Sequence, residues 1–388
     1  MNDLRPSIDT LLVATVVSAL APFVSALVPG GRVPQVVVLI AGGVLVGPQV
    51  LGLADPRSVT LISTVGLGFL FLMVGYESEP SMLREHSGRL AVVAWVISAV
   101  AALVVVGILQ LTGFVRAFVP VAIALTTTTL GTLLPILREN NLLIGDFERY
   151  VIAAGATGEL LPILAIAVFL TTGNTYVALL SLASIGGLAL VLSFVPRLMP
   201  SGSARRILAG EEGATFQATL RWTIALLFLL LAFAGRFGLD VVLGAFLAGV
   251  VLRRWAPPSD KRALDDKLDA IGYGFFIPVF FVTSGMGLDV QSIVAAPARL
   301  PVFFVLLLVV RGLPALLVYR QALPAAQRLQ MVFITATALP LLVALSQIGL
   351  ANGTMLPENA AALVGAGVLS VVAFPAAAVA IAARRQAG

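Results

Sequence analysis

Cysteine is absent from the 388-residue chain and histidine occurs once, which removes several common kinds of site. Without cysteine there is no disulfide framework, thiolate metal site or cysteine nucleophile. A single histidine argues against a histidine-based metal centre or catalytic triad. The chain also lacks a Gly-Lys-Ser/Thr phosphate-binding motif, which argues against direct use of ATP. We therefore expect neither an enzyme nor a resident cofactor.

Charge is scarce as well. Only 11% of the residues are charged, against about 25% in a typical soluble domain. Hydrophobic residues make up 59% of the chain, which predicts an all-α polytopic membrane protein in a lipid bilayer. The formal net charge of +5 could suggest a nucleic-acid partner, but the basic residues lie in short segments between apolar runs. That placement favours membrane topology over nucleic-acid binding.

Apolar runs long enough to span a membrane occur at about thirteen places. They cover approximately residues 10–29, 34–51, 58–76, 90–111, 115–137, 150–171, 176–196, 217–235, 239–252, 268–288, 301–319, 329–350 and 360–382. The first run lacks the basic start and cleavage site of a signal peptide. The pattern predicts one membrane transport domain over residues 1–388, with no soluble regulatory domain.

The distribution of basic residues predicts the orientation. If the N-terminus lies outside and the runs alternate, 18 of the 24 Lys and Arg residues fall on inside segments and five on outside segments. The remaining one, Arg311, lies within a run. Cytoplasmic loops carry such an excess of Lys and Arg. The bias predicts an outside N-terminus and a cytoplasmic C-terminus, and therefore an odd number of spans.

Two runs carry matching interruptions near their centres. The fifth contains Thr126, Thr127, Thr128 and Thr129, and the twelfth contains Thr335, Thr337 and Pro340. Both interruptions fit the pattern Thr-x-Thr-x-Leu, and alternation gives the two runs opposite directions. Together they predict inverted repeats with two crossed, unwound helices and a site at mid-membrane. The alternative is that the hydroxyls bond back to their own helices and the proline only causes a kink.

Glu159 lies inside the sixth run, about 13 Å along a helix that starts near Tyr150. A carboxylate near the centre of a hydrocarbon layer about 30 Å thick costs several kcal/mol unless it is paired, hydrated or protonated. Acidic residues in such positions mark ion or proton paths. Glu159 is therefore the candidate that binds both the cation and the proton.

Arg311 lies at a similar depth in the eleventh run, about 15 Å from its start. Pairing with Glu159 would offset the desolvation cost of both groups. Arg311 would compensate the charge of the carboxylate when no ion is bound. A purely structural ion pair that holds two helices together is the alternative.

One carboxylate that holds either H⁺ or a monovalent cation, and can face either side, is an exchanger. Both ions carry one charge, so a single carboxylate predicts one-for-one, electroneutral exchange. The four consecutive threonines would complete an oxygen shell for Na⁺ or K⁺. Thr157 and main-chain groups near Thr337 are further candidate ligands.

Five segments of the chain resemble the monovalent cation:proton antiporter superfamily, on the side of bacterial Kef-type and sodium–proton exchangers. They are VPQVVVLIAGGVLVGPQVLGL at 33–53, VGLGFLFLMVGYESE at 65–79, ALTTTTLGTLLPILREN at 124–140, LGAFLAGVVL at 243–252 and FFIPVFFVTSGMGLDV at 275–290. The segments occur in the family order. In that family an acidic dipeptide, or Asn-Asp or Gln-Asp, carries the ion. Here the corresponding dipeptide is Gly158-Glu159, which argues against a two-proton stoichiometry.

The resemblance implies further properties. The family's basic residue matches Arg311, and an Arg-Gly-Glu-like stretch is replaced by Thr337-Ala338-Leu339. A core bundle, about 90–171 and 301–382, would move against scaffold and dimerisation helices, about 10–76 and 176–288. A homodimer in a bacterial cytoplasmic membrane is the expected assembly.

Two other functions fit the sequence. A Na⁺-coupled symporter of an organic anion would need a larger polar cavity at the crossing. A cation channel or leak would need a continuous pore, which a Glu159–Arg311 pair would block unless it separated. The leading prediction is an antiporter of Na⁺ or K⁺ against H⁺.

Overall fold

A computed structural model describes residues 5–27, 33–77, 84–131, 133–140, 142–143, 145–170, 175–198, 216–236, 241–255 and 261–387. Within these ranges the regular structure is helical, and no strand occurs. The all-α prediction is confirmed. Each predicted apolar run corresponds to one helix or to consecutive helical segments. Among the described residues, eight helical segments are long and apolar enough to cross a membrane. The total of thirteen crossings stays a prediction.

The helices of the first half of the chain follow the apolar runs closely. They are α1 Arg5–Leu27, α2 Gln35–Val46, α3 Thr60–Glu77 after a 3₁₀ turn at Pro56–Val59, α4 His86–Leu111, α5 Phe118–Ala124, α6 Leu133–Glu139, α7 Asp146–Phe169 and α8 Thr175–Leu198. The fifth run is thus two half-helices, α5 and α6. The break between them falls on the four threonines.

The second half contains the other broken run and two π-helical segments. Its helices are α9 Phe216–Arg236, α10 Val241–Trp255, α11 Lys261–Ile271, α12 Ile277–Met286, α13 Val290–Ala295, α14 Arg299–Leu306, α15 Pro314–Val318, α16 Ala325–Ala336, α17 Pro340–Ala351 and α18 Pro357–Ala387. The π segments are Gly272–Phe276 and Leu307–Gly312. The twelfth run is broken between α16 and α17, at the predicted position.

The chain divides into two compact units. Unit 1 comprises Met1–Ser18, Asp55–Ser78 and Ile163–Thr283, and unit 2 comprises Ala19–Ala54, Glu79–Pro162 and Ser284–Gly388. All the candidate ion-site residues lie in unit 2. The predicted core bundle falls mainly in unit 2 and the predicted scaffold mainly in unit 1, but residues 19–54 group with unit 2. Which part moves stays a prediction.

Unit 1 is held by close packing of α3 against α10. A Cβ on Gly75 would lie 2.0 Å from the carbonyl oxygen of Phe246, and a Cβ on Gly249 would lie 2.0 Å from that of Leu72. Lipid tails are as apolar as leucine, so membrane helices associate through such backbone approach rather than through the hydrophobic effect. These two glycines therefore set the distance between the two helices.

Unit 2 has its own apolar core, formed by helices that are distant in the sequence. Buried residues from α4, α6, α7, α15, α16 and α18 form it, including Ala91, Leu137, Val151, Ala315 and Met331. This packing fixes α7 against α15, the helices that carry or adjoin Glu159 and Arg311.

We predict that Gly249→Ala destabilises the protein by about 1–3 kcal/mol, because its methyl group must push α10 away from the backbone of α3. The change is measured as a lower melting temperature in detergent. Gly187→Ala in α8 is the matched control, since nothing lies within 4 Å of its added Cβ. Alanine is also the better helix former there. Equal melting temperatures for the two variants would contradict the close α3–α10 contact.

Candidate functional site

The first break begins where two threonine hydroxyls end α5. Thr126 Oγ1 donates to the carbonyl of Ile123 at 2.7 Å, and Thr127 Oγ1 donates to that of Ala124 at 2.8 Å. These hydroxyls satisfy carbonyls at the end of the half-helix. Threonine competes with helix geometry through such local bonds. The next residues, Thr128 and Thr129, are non-helical and buried.

The two breaks contact each other through Thr129. Its backbone N–H donates to the carbonyl of Thr337 at 2.8 Å. Its side-chain Oγ1 accepts from the backbone N–H of Leu339 at 3.0 Å. Backbone groups freed from helical bonding are therefore paired across the breaks, as a membrane interior requires.

Ser370 on α18 hydrogen-bonds the backbone at the second break. Its Oγ accepts from the N–H of Ala338 at 3.1 Å and lies 2.8 Å from the carbonyl oxygen of Gly367. Ser370 is fully buried. The sequence analysis did not identify this residue, and the only signal for it was one hydroxyl within the apolar stretch 360–383 of the helix. It supplies part of the polar support that the Thr337-Ala338-Leu339 stretch lacks.

Glu159 lies on α7 beside the first break and is partly buried. Its Oε1 accepts a hydrogen bond from the backbone N–H of Leu130 at 2.7 Å. Leu130 in turn accepts from the first amides of α6, those of Leu133 and Leu134. The carboxylate is thus placed at the positive N-terminal end of a half-helix, where negative charge is favoured.

Arg311 lies in the π-helical segment Leu307–Gly312 and is only 1% exposed. Its Nε donates to Thr128 Oγ1 at 2.9 Å, and its Nη2 donates to the carbonyl of Ala154 at 3.1 Å. These are its side-chain hydrogen-bond partners among the described residues. The direct pair with Glu159 that the sequence suggested is absent in this conformation. Arg311 instead binds α7 about one turn before the carboxylate.

The π-helical segment has a local cause. Pro314 follows it and has no N–H to donate, and its ring conflicts with the carbonyl four residues earlier. The N–H of Leu313 donates to Leu308, five residues back, instead of four. Such single π turns occur frequently at functional sites. Here the wider turn contains Arg311.

Gly158 provides the space that the guanidinium occupies. Its carbonyl accepts from the N–H of Thr128 at 2.9 Å. A Cβ at this position would lie 2.5 Å from Thr128 Oγ1 and 2.8 Å from Arg311 Nη2. Both distances are far too short. The residue next to Glu159 therefore has to lack a side chain while Arg311 keeps this position.

The remaining predicted ligands bond mainly to their own helices. Thr157 Oγ1 donates to Ala153 at 2.7 Å, and Thr337 Oγ1 donates to Phe333 at 2.9 Å. Thr335 Oγ1 lies 2.7 Å from the carbonyl of Met331. Pro340 opens α17 at the first helical position, where a missing N–H does no harm. A hydroxyl that donates still has oxygen lone pairs, so ion coordination by these threonines stays a prediction.

The two threonines that differ from this pattern are Thr128 and Thr129, because they bridge elements distant in the sequence. Thr128 Oγ1 donates to the carbonyl of Thr335 at 2.6 Å while it accepts from Arg311. No cluster of three or more His, Cys, Asp or Glu side chains suited to a metal occurs in the described ranges. The arrangement thus offers one carboxylate, hydroxyl and carbonyl oxygens, and one compensating cation.

We predict that Thr128→Val destabilises the protein by about 2–3 kcal/mol, because it leaves the Nε of buried Arg311 and the carbonyl of Thr335 without their partner. Thr127→Val is the control, since that residue is equally buried but bonds only within α5. It should cost about 1 kcal/mol. Thermal unfolding of the two purified variants measures the difference, and equal losses would show that Thr128 does not bridge the three elements.

Known proteins are similar to this chain in sequence or in fold. The chain is 29% identical to cation/H(+) antiporter 17 of Arabidopsis thaliana over 292 residues, which cover 68% of the chain and 35% of that protein. It is 27% identical to the glutathione-regulated potassium-efflux system protein KefC of Cronobacter sakazakii over 273 residues, 67% of the chain and 42% of the relative. The matched region thus spans less than half the length of these relatives.

A solved structure with the same fold is that of the sodium proton antiporter MjNhaP1 from Methanocaldococcus jannaschii at pH 8. The TM-score is 0.68 at 16% identity, over 98% of this chain and 99% of that one. Residues 13–382 also match the family described as sodium/hydrogen exchanger, transmembrane. The match covers nearly the whole sequence, including both breaks, Glu159 and Arg311. The chain therefore belongs to the transmembrane sodium/hydrogen exchanger family.

Proposed function

We propose that this protein is a secondary antiporter that exchanges a monovalent cation, Na⁺ or K⁺, for H⁺ across a membrane. Glu159 is the shared binding group for the cation and the proton. Its hydrogen bond to the Leu130 amide, at the break of the fifth run, is the observation that carries the proposal. Family membership supports exchange over an organic-anion symporter or a channel.

The chemistry of one carboxylate couples the two ions. A carboxylate oxygen binds either a proton or a hard monovalent cation, and the bound proton removes the charge that attracts the cation. Binding of the two is therefore mutually exclusive. If Glu159 faces the two sides of the membrane alternately, and changes side only when loaded, each inward ion is matched by one outward ion.

The surroundings of Gly158 support a one-for-one stoichiometry. The position before Glu159 bears no side chain, and Thr128 and Arg311 occupy the volume that a second carboxylate would need. Only one group that can release a proton in exchange for a cation is therefore expected at the break. One positive charge moves each way, so no net charge crosses the membrane.

Arg311 supports the exchange by lowering the free-energy cost of the charged Glu159 carboxylate when no ion is bound. An isolated carboxylate within a membrane is costly, and a nearby fixed cation lowers that cost when no ion is bound. The Thr128 and Ala154 bonds hold the guanidinium close to the backbone of Gly158, the residue that precedes Glu159 in the chain.

The assembly and orientation form part of the proposal. The excess of Lys and Arg on alternate segments supports an outside N-terminus and a cytoplasmic C-terminus. We place the protein as a homodimer in a bacterial cytoplasmic membrane, with the core bundle moving against the scaffold helices. Potential partners are thus lipid, the transported ions and a second copy of the chain.

We predict that Glu159→Gln abolishes cation-driven proton movement, because the amide binds neither a proton nor a cation in exchange. The measurement uses proteoliposomes that contain a pH-sensitive dye, an imposed pH gradient, and addition of Na⁺ or K⁺. Glu148→Gln near the start of α7 is the control and should exchange as wild type does. If Glu159→Gln still exchanges ions, another group must bind them. If the wild type shows no proton movement with either cation, the antiporter proposal is contradicted and uptake of organic anions is the next function to test.

We further predict that the exchange rate does not respond to membrane potential. Na⁺/H⁺ exchange is measured at the same ion gradients with the potential set to about 0 and about −100 mV by a K⁺ gradient and valinomycin. A transported net charge would add about 2.3 kcal/mol of driving force per 100 mV, enough to change the rate and final gradient clearly. A potential-dependent final pH gradient would contradict the one-for-one stoichiometry.

A further inference from the structure

Tyr319 is a buried polar group that the proposed exchange does not yet use. Its side chain is fully buried, and its hydroxyl has no hydrogen-bond partner among the described residues. An unpaired buried hydroxyl destabilises a fold, because water is lost and nothing replaces it. Buried polar groups in membrane spans are usually retained for function. Tyr319 therefore calls for an explanation.

The position of Tyr319 relates it to Arg311. The two lie eight residues apart, with Ala315 midway, so all three share roughly one side of the same helical run. Helical side chains lean toward the N-terminus of their helix. The Tyr319 side chain accordingly extends in the direction of Arg311.

A facing row on α7 completes the geometry. Tyr150, Ala154 and Gly158 repeat at intervals of four residues and line one side of that helix. Tyr150 packs edge-on against Tyr319 with ring centroids 5.7 Å apart, and Ala154 accepts from Arg311. Ala154 and Ala315 lie in the same buried core. Along the two rows, Ala315 lies between Arg311 and Tyr319, and Ala154 lies between Tyr150 and Gly158, so the intervening position in each row carries only a methyl group.

The guanidinium also has a hydrogen-bonding nitrogen to spare. Its bonds use Nε and Nη2, and within the described ranges none is recorded for Nη1. An arginine fork has five N–H donors. Arg311 therefore has hydrogen-bonding capacity left for a further acceptor, and the Tyr319 oxygen is an acceptor without a partner among the described residues.

We propose that Tyr319 is a positioning residue, the second hydrogen-bond acceptor of Arg311, which turns from Thr128 toward the Tyr319 hydroxyl when Glu159 is loaded. The inference rests on the proposed exchange function. A cation or proton at Glu159 cancels the negative charge that favours a nearby guanidinium. The Tyr319 oxygen then offers Arg311 a partner farther from the bound ion.

This role gives a distinctive kinetic signature. The Tyr319 bond stabilises the loaded states only, and it does so equally for the cation and the proton. Loss of the hydroxyl should therefore weaken the binding of both ions by the same factor. Loosened packing would in addition lower the melting temperature, so that measurement separates it from the loss of the hydroxyl's bond.

The test is Tyr319→Phe, which removes the hydroxyl and keeps the ring. In proteoliposomes we expect the KM for the transported cation, measured at alkaline pH where protons compete little, to rise about tenfold. The pH midpoint of the activity profile should move about one unit lower, because a weaker proton site needs more acid to fill. The melting temperature should stay equal or rise, since an unpaired hydroxyl has been removed from a buried core.

Tyr150→Phe is the matched control, because it removes a hydroxyl from the neighbouring ring and should leave KM and the pH midpoint unchanged. Unchanged constants in Tyr319→Phe, with exchange by the wild type intact, would overturn this inference alone. Equal shifts in both tyrosine variants, or shifts of KM and pH midpoint that do not match, would also overturn it. A wild type without exchange would overturn the proposed function and this inference together.

Discussion

The burial of the Arg311 guanidinium is the constraint on which the rest of the site depends. A permanent cation inside a membrane protein must have its donors satisfied, because neither lipid nor an apolar core can do so. Thr128 and Ala154 provide this here, and each imposes a further condition. Thr128 has to leave helical geometry to reach the guanidinium, and α7 must approach closely enough to present a carbonyl. The broken fifth run and the bare backbone at Gly158 follow from these two conditions.

The two breaks are alike in sequence and unlike in what they bind. At the first, the amide of Leu130 donates to Glu159, and at the second the equivalent amide of Leu339 donates to Thr129. The first break therefore hydrogen-bonds a carboxylate, Glu159, which can be neutralised, whereas the second break hydrogen-bonds the neutral hydroxyl of Thr129. Ser370 reinforces the second break. We interpret the first break as the part that responds to the ion and the second as its support.

Much of the fold could be predicted from the sequence, because long apolar segments in a membrane have to be helical. The positions of both breaks also followed, since threonine, glycine and proline interrupt helices by local chemistry. The partners of Arg311 did not follow. Ala154 contributes only its backbone carbonyl, and the identity of a side chain does not predict such a contact. Ser370 and Tyr319 reach the site because helices distant in the sequence pack in a particular register, which the sequence does not specify locally.

Gly158 has a consequence for how sequences of this kind diverge. A carboxylate cannot simply be added beside Glu159 by one substitution, because the new side chain would coincide with Thr128 and Arg311. We therefore expect Arg311, Thr128 and Gly158 to change together in evolution or to stay as they are. Related exchangers with one and with two acids would then be separated by an evolutionary barrier, whose intermediates carry either a displaced arginine or an empty space in its place. Covariation among these three positions would be the trace of that barrier.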